Sequence, residues 1–333
     1  SFLSFFLAWL LAFHVKGFYP LSLNVSCPDR LPDSEQLDAA LLSDADIPAP
    51  RILGGTGRLG PIIFSVPHSG RCYSTDYFTA INLDMARSLE DTGTDIITCP
   101  LASESRPVLI AECCRALCDL NRPETALDPL LIDKITPSSD KIFTPHIKAG
   151  YGVIPRLSAT KTPLHDRQLS SVEAESILQK FYRPFHHRLS DLLATAQRNH
   201  SHILVMDIHS MPAKQAHIRG ALPDFIFGNL YGATLPERLV QTVDRIMKST
   251  PYQWSWNNPY AGGYITRHYG LPAPTSVHRK LVKGAISVLQ VEINRGLYVV
   301  PPFGVRTNKV AAITSLLDKL ATALGHQLTS DSL

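Results

Sequence analysis

Several short apolar segments of the chain end abruptly in polar residues. In the clearest one, residues 203–206 are apolar and partly β-branched, and Asp207, His209 and Ser210 follow before a proline at position 212. Such a segment is typical of a strand buried on both faces of a sheet. Buried polar groups need partners, and in α/β proteins ligands bind beyond the carboxyl ends of strands. His209 is therefore a candidate metal ligand or catalytic base, the alternative being a core histidine held by a hydrogen bond.

The same pattern occurs twice more. Residues 61–66 predict a buried strand that ends near His68, and residues 285–294 predict a strand that carries Glu292 near its carboxyl end. Because side chains alternate between the two faces of a strand, Gln290 and Glu292 should share one face, and the apolar residues between them the other. A buried glutamate is costly unless it is paired, which favours a functional role for Glu292.

Helical patterns separate these strands. A capping pattern at residue 170 opens an amphipathic helix to about residue 199, in which Pro184 should produce a kink or a break. The remaining elements are helices at 235–247 and 309–324, strands at 106–111 and 224–228, and a loop rich in glycine and aromatic residues that leads into a short strand at 257–268. This alternation predicts a single α/β domain with an open, mixed and mostly parallel sheet flanked by helices.

Composition divides the chain into three parts. Residues 1–60 predict an irregular lead-in, which starts with an apolar arm at residues 2–13. The globular domain is expected at residues 61–325 and a tail at 326–333. The arm is shorter than the roughly 20 residues that span a bilayer, so we expect a cytoplasmic protein that does not contact membranes. A signal peptide or an anchor at residues 2–13 stays open as an alternative.

Charge and cysteine content narrow the class of protein. The net charge is only +3, and no block of Lys and Arg suggests a nucleic-acid partner. The six cysteines form neither a CxxC pair nor a stapled framework. We interpret them as free thiols in a reducing compartment.

Further polar residues lie between the predicted strands. The acidic segment 90–95 would ordinarily be a solvated helix start. Asn121 and Arg122 precede a proline and should lie on a loop, where the planar fork of Arg122 could hold a substrate carboxylate. The alternative is a structural pair of Arg122 with Asp119. Residues 129–162 contain many helix and strand breakers, which is typical of a lid or binding loop.

The strand-end residues His68, His209 and Glu292 together suggest one kind of chemistry. Two imidazoles, an acidic ligand and a separate glutamate are the parts of a hydrolytic zinc site. In such a site the glutamate takes the proton of the attacking water and passes it to the leaving amine. An arginine can stabilise the oxyanion.

Seven short motifs, in order, carry a resemblance to a known family. They are Pro-His-Ser-Gly at 67–70, Asp-Leu-Asn-Arg-Pro at 119–123, Gly-Val-Ile-Pro-Arg at 152–156, Tyr-Arg-Pro-Phe-His at 182–186, Asp-Ile-His-Ser-Met-Pro at 207–212, Gly-Gly-Tyr-Ile-Thr-Arg-His-Tyr-Gly at 262–270 and Leu-Gln-Val-Glu-Ile-Asn at 289–294. Over roughly residues 60 to 300 the chain resembles the N-formylglutamate amidohydrolases, a family similar in fold to the zinc carboxypeptidases and aspartoacylases.

The resemblance implies a role for residues in most of these motifs. His68 and His209 would bind one divalent metal ion, zinc in the related enzymes, and Glu292 would be the catalytic base. Asn121 and Arg122 would hold the carboxylate of a small-molecule substrate.

The remaining site residues also follow from the resemblance. The related carboxypeptidases place an acidic ligand three residues after the first histidine, but that position is Arg71 here, and a guanidinium does not bind a cation. The acidic segment 90–95 matches the family's acidic motif, and we expect Asp91 to be the third ligand. Arg156 and Tyr264 would line the substrate pocket.

The implied reaction is metal-dependent hydrolysis of N-formyl-L-glutamate to formate and L-glutamate, a reaction of histidine degradation. Two alternatives stay open at this point. The chain could hydrolyse another N-acylated amino acid, or it could be an inactive relative that binds an acidic small molecule. The sequence does not indicate the oligomeric state.

Overall fold

A computed structural model describes residues 34–134, 144–214, 220–271 and 285–330 of the chain. The apolar arm expected at residues 2–13 lies outside the described residues, as does part of the predicted binding loop at 129–162.

Strands occur throughout the described chain, and seven of them form one large sheet. In chain order they are β1 (Ser34–Gln36), β2 (Ala40–Leu42), β3 (Arg51–Leu53), β4 (Ile62–Val66), β5 (Cys72–Ser74), β6 (Val108–Ile110), β7 (His202–Met211), β8 (Phe225–Gly228), β9 (Trp254–Trp256), β10 (Ala285–Asn294), β11 (Val299–Val300) and β12 (Gly304–Arg306). The large sheet has the order β3-β6-β4-β7-β10-β8-β9.

The direction of the strands confirms the predicted sheet type. Strands β6, β4, β7 and β10 run parallel at the centre, whereas β3 pairs antiparallel with β6 and β8 pairs antiparallel with β10. A small antiparallel sheet of β1, β12 and β11 and a parallel pair of β2 and β5 lie outside the large sheet. The four parallel strands place their carboxyl ends at one edge of the sheet.

Helices connect the strands and cover the sheet. They are α1 (Leu83–Arg87), α2 (Thr94–Thr98), α3 (Pro145–Lys148), α4 (Ser171–Ile177), α5 (Arg183–Gln197), α6 (Glu237–Met247), α7 (Tyr264–Gly270) and α8 (Thr307–Ser330), with 3-10 turns at Cys99–Leu101 and Arg295–Leu297. The predicted mixed α/β class is confirmed.

Each face of the sheet has its own hydrophobic cluster. Ile203 and Val205 of β7 pack into the cluster that includes α4 and α5, whereas Leu204 and Met206 pack into the cluster that includes α6 and α8. Because side chains alternate along a strand, Asp207 continues the first of these faces. Asp207 and His209, near the carboxyl end of β7, therefore lie on the same face of the sheet as the apolar residues Ile203 and Val205.

The central strand ends where the sequence indicated. The sequence predicted a strand that carries the polar residues at its end and stops at Met211-Pro212, and β7 continues through them to Met211. The reason is its pairing with β10, which holds both strands in parallel register from the Ala285–His202 pair to the Asn294–Met211 pair. The polar side chains thus lie on the sheet itself.

The short strand expected at the end of residues 257–268 is a helix, and that prediction is wrong. Helix α7 begins after Gly263, and two side chains accept hydrogen bonds from the backbone at its start: Gln290 Oε1 from Gly263 N–H (2.7 Å) and Asn121 Oδ1 from Ile265 N–H (2.7 Å). These partners are distant in the sequence, so no local pattern indicates this helix start.

The long helix at 170–199 is interrupted as expected. Ser170 and Glu173 form the predicted capping box at its start. A π-helical turn, Leu178–Tyr182, then separates α4 from α5, immediately before Arg183-Pro184. Proline removes a backbone donor, which favours such a break.

The chain ends differ in detail from the predicted lead-in and tail. The segment expected to be irregular up to residue 60 contains β1, β2 and β3, and β3 pairs with β6 at an edge of the large sheet. Helix α8 continues past residue 325 to Ser330. Short edge strands pair through the backbone, so they need no apolar pattern. The domain boundaries at 60 and 325 stay predictions.

Two further observations bear on the class of protein. Across the four described ranges, no helix combines the length and apolar character needed to cross a membrane. The cysteines in those ranges, Cys72, Cys99, Cys113, Cys114 and Cys118, are buried, and none of them forms a disulfide with another described cysteine.

Candidate metal centre and active site

Two buried histidines meet at the carboxyl edge of the sheet. His68 lies two residues after β4, and His209 lies on β7; their side chains are 1% and 3% exposed. The two ring centroids are 4.9 Å apart. The sequence placed each of them at a strand end, and the pairing of β4 with β7 brings them together.

A carboxylate completes this group. Asp91 follows α1, and its backbone N–H donates to the carbonyl of His68 (3.0 Å). Its Oδ2 lies 3.3 Å from Nδ1 of His68 and 3.0 Å from Nδ1 of His209. One ligand atom from each of the three residues lies within 4.8 Å of the others, so the group could hold a metal ion.

Each imidazole is backed by a second carboxylate on its other nitrogen. Nε2 of His68 lies 2.7 Å from Oδ1 of Asp119, and Nε2 of His209 lies 2.9 Å from Oδ2 of Asp207. An Nε2–H that donates to a carboxylate leaves a lone pair on Nδ1, which can then bind a metal ion.

Three hydrogen-bond acceptors, Nδ1 of each histidine and the carboxylate of Asp91, therefore converge at the centre. A cation or additional protons would satisfy them. With both Nε2 atoms protonated, the two Nδ1 lone pairs face the carboxylate of Asp91, and Nδ1 of His68 is buried without a hydrogen-bond partner. Three converging acceptors repel one another in a dry site. The donor set of two imidazoles and one carboxylate fits a divalent transition metal such as zinc.

The pKa values of these groups respond to the same arrangement. Burial acts to raise the pKa of Asp91, but the adjacent imidazoles of His209 and His68 hold it well below its usual range. Burial acts to lower the pKa of His209, but the adjacent carboxylate of Asp207 raises it well above its ordinary value. Without a metal, protons are drawn to this position.

Glu292 lies beside the centre without belonging to the three-residue group. On β10 it is the register partner of His209, and Gln290 is the partner of Asp207. Gln290 Nε2 donates to Oε1 of Glu292 (3.0 Å), so the two side chains share one face as predicted. Burial raises the pKa of Glu292 to about 7; the charge of His209 lowers it and that of Asp91 raises it.

The acidic segment 90–95 divides its carboxylates among separate partners. Asp95 accepts two hydrogen bonds from the guanidinium of Arg71 (2.9 and 2.7 Å). Glu90 binds the side chains of Tyr73 and Arg87. Asp91 is thus the member of this segment that faces the histidines. Asp95 neutralises the charge of Arg71.

Arg115, which was not among the predicted site residues, also lies at the centre. Its Nε donates to Oδ2 of Asp119 (3.1 Å), and its Nη1 lies 3.8 Å from Oδ1 of Asp91. The charges of Asp119, Asp91 and Glu292 all raise its pKa, although burial opposes them, so a guanidinium lies within range of all three. Arg115 lies on a turn with no periodic pattern, and no signal in the sequence singles it out.

Asn121 and Arg122 lie on a loop next to the centre. Asn121 Nδ2 lies 3.1 Å from Nε2 of His209. Arg122 donates from Nε to the carbonyl of Tyr151 (3.1 Å) and from Nη1 to the carbonyl of Asn121 (3.0 Å), while its Nη2 lies 3.8 Å from Asp119 Oδ2. Two of its nitrogens therefore bind backbone carbonyls, and Nη2 is the one turned to the carboxylate.

Comparison with known proteins identifies the family. Residues 60–299 match the family model of the N-formylglutamate amidohydrolases, which is well over half of the chain. The chain belongs to this family. Both the family predicted from the motifs and the hydrolase class that it implies are therefore confirmed.

Relatives of this amidohydrolase cover most of its length. It is 29% identical over 278 residues to the N-formylglutamate deformylase of Pseudomonas putida, covering 80% of this chain and 93% of that one. It is 26% identical to the enzyme of the same name from Pseudomonas aeruginosa, covering 79% and 92%. The crystal structure of the N-formylglutamate amidohydrolase from Ralstonia eutropha JMP134 has the same fold, with a TM-score of 0.71, 24% identity and coverage of 85% and 99%.

The last two predicted substrate-binding residues of this amidohydrolase have partners within the protein. Arg156 Nε donates to Oδ2 of Asp128 (2.8 Å). Tyr264 is the first residue of α7, and its hydroxyl lies 3.1 Å from Nδ1 of His268. Their contact with substrate stays a prediction.

Proposed function

We propose that this chain hydrolyses N-formyl-L-glutamate to formate and L-glutamate. The observation that carries the proposal is the group of His68, Asp91 and His209 with Glu292 beside it, at the carboxyl edge of the sheet. Its relatives from two Pseudomonas species, both named N-formylglutamate deformylase, support this substrate.

The three-residue group would hold zinc. Two imidazole nitrogens and one carboxylate leave positions open for water and substrate, as in hydrolytic zinc sites. When bound there, the metal would polarise the formyl carbonyl and lower the pKa of the attacking water. Asp119 and Asp207 would keep both histidines in the tautomer that binds a cation.

Glu292 would move the protons of the reaction. As a base it takes a proton from water while the water oxygen attacks the formyl carbon. It then delivers that proton to the amide nitrogen as the carbon–nitrogen bond breaks, which releases formate and the free amine. Its buried position, with a pKa near 7, suits a group that accepts and returns a proton at neutral pH.

Two arginines would stabilise different negative charges, one on the developing oxyanion and one on the substrate carboxylate. Arg115 lies between Asp91 and Asp119, where its guanidinium can face the oxyanion that develops on the formyl oxygen. Arg122 and Asn121 would hold a carboxylate of the glutamate. With the Nε2–H of His209 donating to Asp207, the nearby Nδ2–H of Asn121 would be available to a substrate oxygen.

The test is formate release from N-formyl-L-glutamate by the purified protein, with metal content measured on the same sample. We expect about one zinc per chain and a higher kcat/KM for N-formyl-L-glutamate than for N-acetyl-L-glutamate or N-formyl-L-alanine. Preference for either of the other substrates would favour a hydrolase of another N-acylated amino acid. Absence of both metal and hydrolysis would favour an inactive binding relative.

Arg122→Lys is expected to raise KM for N-formyl-L-glutamate by about ten- to a hundredfold, since lysine keeps the charge but loses the planar fork. Steady-state kinetics on the folded variant measures this. Arg106→Lys, at a guanidinium that pairs with Asp318 of α8 (2.8 Å) before the amino end of β6, serves as the control and should leave KM unchanged. An unchanged kcat/KM in Arg122→Lys would assign Arg122 to the structural pair with Asp119.

Asp207→Asn is expected to weaken metal binding by about ten- to a hundredfold, because the acceptor that orients His209 is lost while the ligand itself remains. Competition with a chromogenic chelator measures the affinity. Asp224→Asn, at a carboxylate that binds the backbone N–H of Gln253, is the matched control. Equal metal affinity in Asp207→Asn and the wild type would contradict the assigned role.

A further inference from the structure

One of the seven motifs, Tyr-Arg-Pro-Phe-His at 182–186, has no role in the mechanism above. It begins at the last residue of the π-helical turn and continues into α5. Single π turns within helices are often found at functional sites. The two ends of the motif, Tyr182 and His186, are buried, and their rings lie 4.3 Å apart.

Both residues bind the backbone of the loop that carries Asn121 and Arg122. The hydroxyl of Tyr182 donates to the carbonyl of Arg122 (2.9 Å), and Nε2–H of His186 donates to the carbonyl of Leu120 (3.0 Å). The two hydrogen bonds thus bracket Asn121, whose side chain contacts His209.

His186 is held in the form that this contact needs. Its Nδ1 accepts from the hydroxyl of Tyr269 (2.9 Å), which leaves the hydrogen on Nε2. Burial lowers the pKa of His186 to about 4, so the ring is neutral at neutral pH. His186 lies on α5 and Tyr269 lies on α7. Two helices therefore contribute to this contact with the loop.

The two motif residues bind the carbonyls of Leu120 and Arg122, whereas other contacts hold the amide and side chain of Asn121: its N–H donates to Asp119 Oδ1 (2.9 Å), and its Oδ1 accepts from Ile265 N–H (2.7 Å). The loop belongs to none of the strands, and its carbonyls therefore rely on side chains and on scattered backbone donors. Arg122 turns its Nη1 back to the carbonyl of Asn121, and Tyr264 N–H approaches the same carbonyl at 3.4 Å. A buried carbonyl without its donor is costly, so loss of either contact would let the loop move.

We propose that Tyr182 and His186 are positioning residues that hold the Asn121–Arg122 loop at the distance needed to bind the substrate carboxylate. They touch neither the three-residue metal group nor Glu292, and they act through the backbone of the loop. This inference rests on the proposed function, because it assigns the loop to substrate binding.

Tyr182→Phe tests the inference with the smallest change, since it removes only the hydroxyl. We expect KM for N-formyl-L-glutamate to rise roughly three- to thirtyfold with kcat changed less than about threefold, because a displaced clamp weakens binding before it affects chemistry. Metal content should equal that of the wild type. Thr314→Val is the matched control, since it removes another hydroxyl that donates to a backbone carbonyl, that of Ile97, between α8 and α2.

A double-mutant cycle separates positioning from a general structural role. If Tyr182 acts through the clamp, Tyr182→Phe should change KM by less than about twofold when Arg122→Lys is already present. Additive effects of the two changes would overturn the inference, as would a fall in kcat with KM unchanged. His186→Gln, which retains an amide donor, should show a smaller rise in KM than His186→Leu.

Hydrogen exchange tests, independently of the substrate, whether Tyr182 holds the Asn121–Arg122 loop. In Tyr182→Phe the backbone amides of Asn121 and Ile265 should exchange faster than in the wild type, while those of β7 are unchanged. Equal exchange at the two loop-linked amides would overturn the inference. If the wild type fails to release formate from N-formyl-L-glutamate, the proposed substrate is wrong, but the exchange result still tells whether Tyr182 holds the loop.

Discussion

Replacing Glu292 with glutamine is expected to lower kcat by about 10²–10⁴-fold, the usual contribution of a positioned proton-transfer group, and to leave metal content unchanged. Glutamine keeps the shape of the side chain and can still contact Gln290, but it cannot accept a proton from water. Glu292 lies opposite His209 on the neighbouring strand and outside the three-residue group, and we therefore expect it to act as a base and not as a ligand. Formate release and elemental analysis measure the two properties.

A second buried glutamate provides the control for this change. Burial also raises the pKa of Glu112, but its carboxylate binds Arg51 on the edge strand β3. Glu112→Gln should therefore retain kcat. Loss of metal in Glu292→Gln would make Glu292 the acidic ligand in place of Asp91, and retention of both metal and full rate would refute the hydrolytic mechanism.

The pH dependence follows from the same side chain. A base works in its unprotonated form, so kcat/KM should fall as the pH drops through the pKa of Glu292. Burial raises that pKa to about 7 in the metal-free site, and a bound cation nearby would lower it. The acid limb should therefore lie below pH 7 in the metal-loaded enzyme.

Asp91→Asn is expected to abolish stoichiometric metal binding and, with it, hydrolysis. The loss in metal affinity should exceed the roughly ten- to hundredfold loss expected for Asp207→Asn, which removes only a hydrogen-bond partner of a ligand. In Asp91→Asn the charged ligand itself is replaced. Asparagine has nearly the same volume, so the buried site between the two histidines is not emptied. Equilibrium dialysis with zinc and elemental analysis measure the loss.

The neighbouring acidic residue gives a matched control. Asp95 lies four positions further along, and both of its oxygens bind the guanidinium of Arg71. Asp95→Asn should retain metal and activity and reduce only stability, since it weakens a charge-assisted pair. The opposite result, with metal lost in Asp95→Asn and kept in Asp91→Asn, would show that the wrong carboxylate has been assigned.

The sequence by itself was enough for the elements whose local pattern carries the signal. The strand at 285–294 was predicted with its observed bounds, and the alternation along it correctly placed Gln290 and Glu292 on one face. The capping box at Ser170 and the break before Pro184 followed from local hydrogen-bonding chemistry. The family could be recognised because each motif is a short continuous segment and the motifs occur in the family's order along the chain.

Only the tertiary structure decided how distant polar groups are paired. It starts α7 with acceptors that lie far away in the sequence, Gln290 and Asn121. It also turns Asp91 toward the histidines while Asp95 is bound by Arg71, and it brings Arg115 to the centre. Hydrophobic periodicity reports which face of an element is buried, whereas the partner of a buried charge depends on which loops meet at the edge of the sheet.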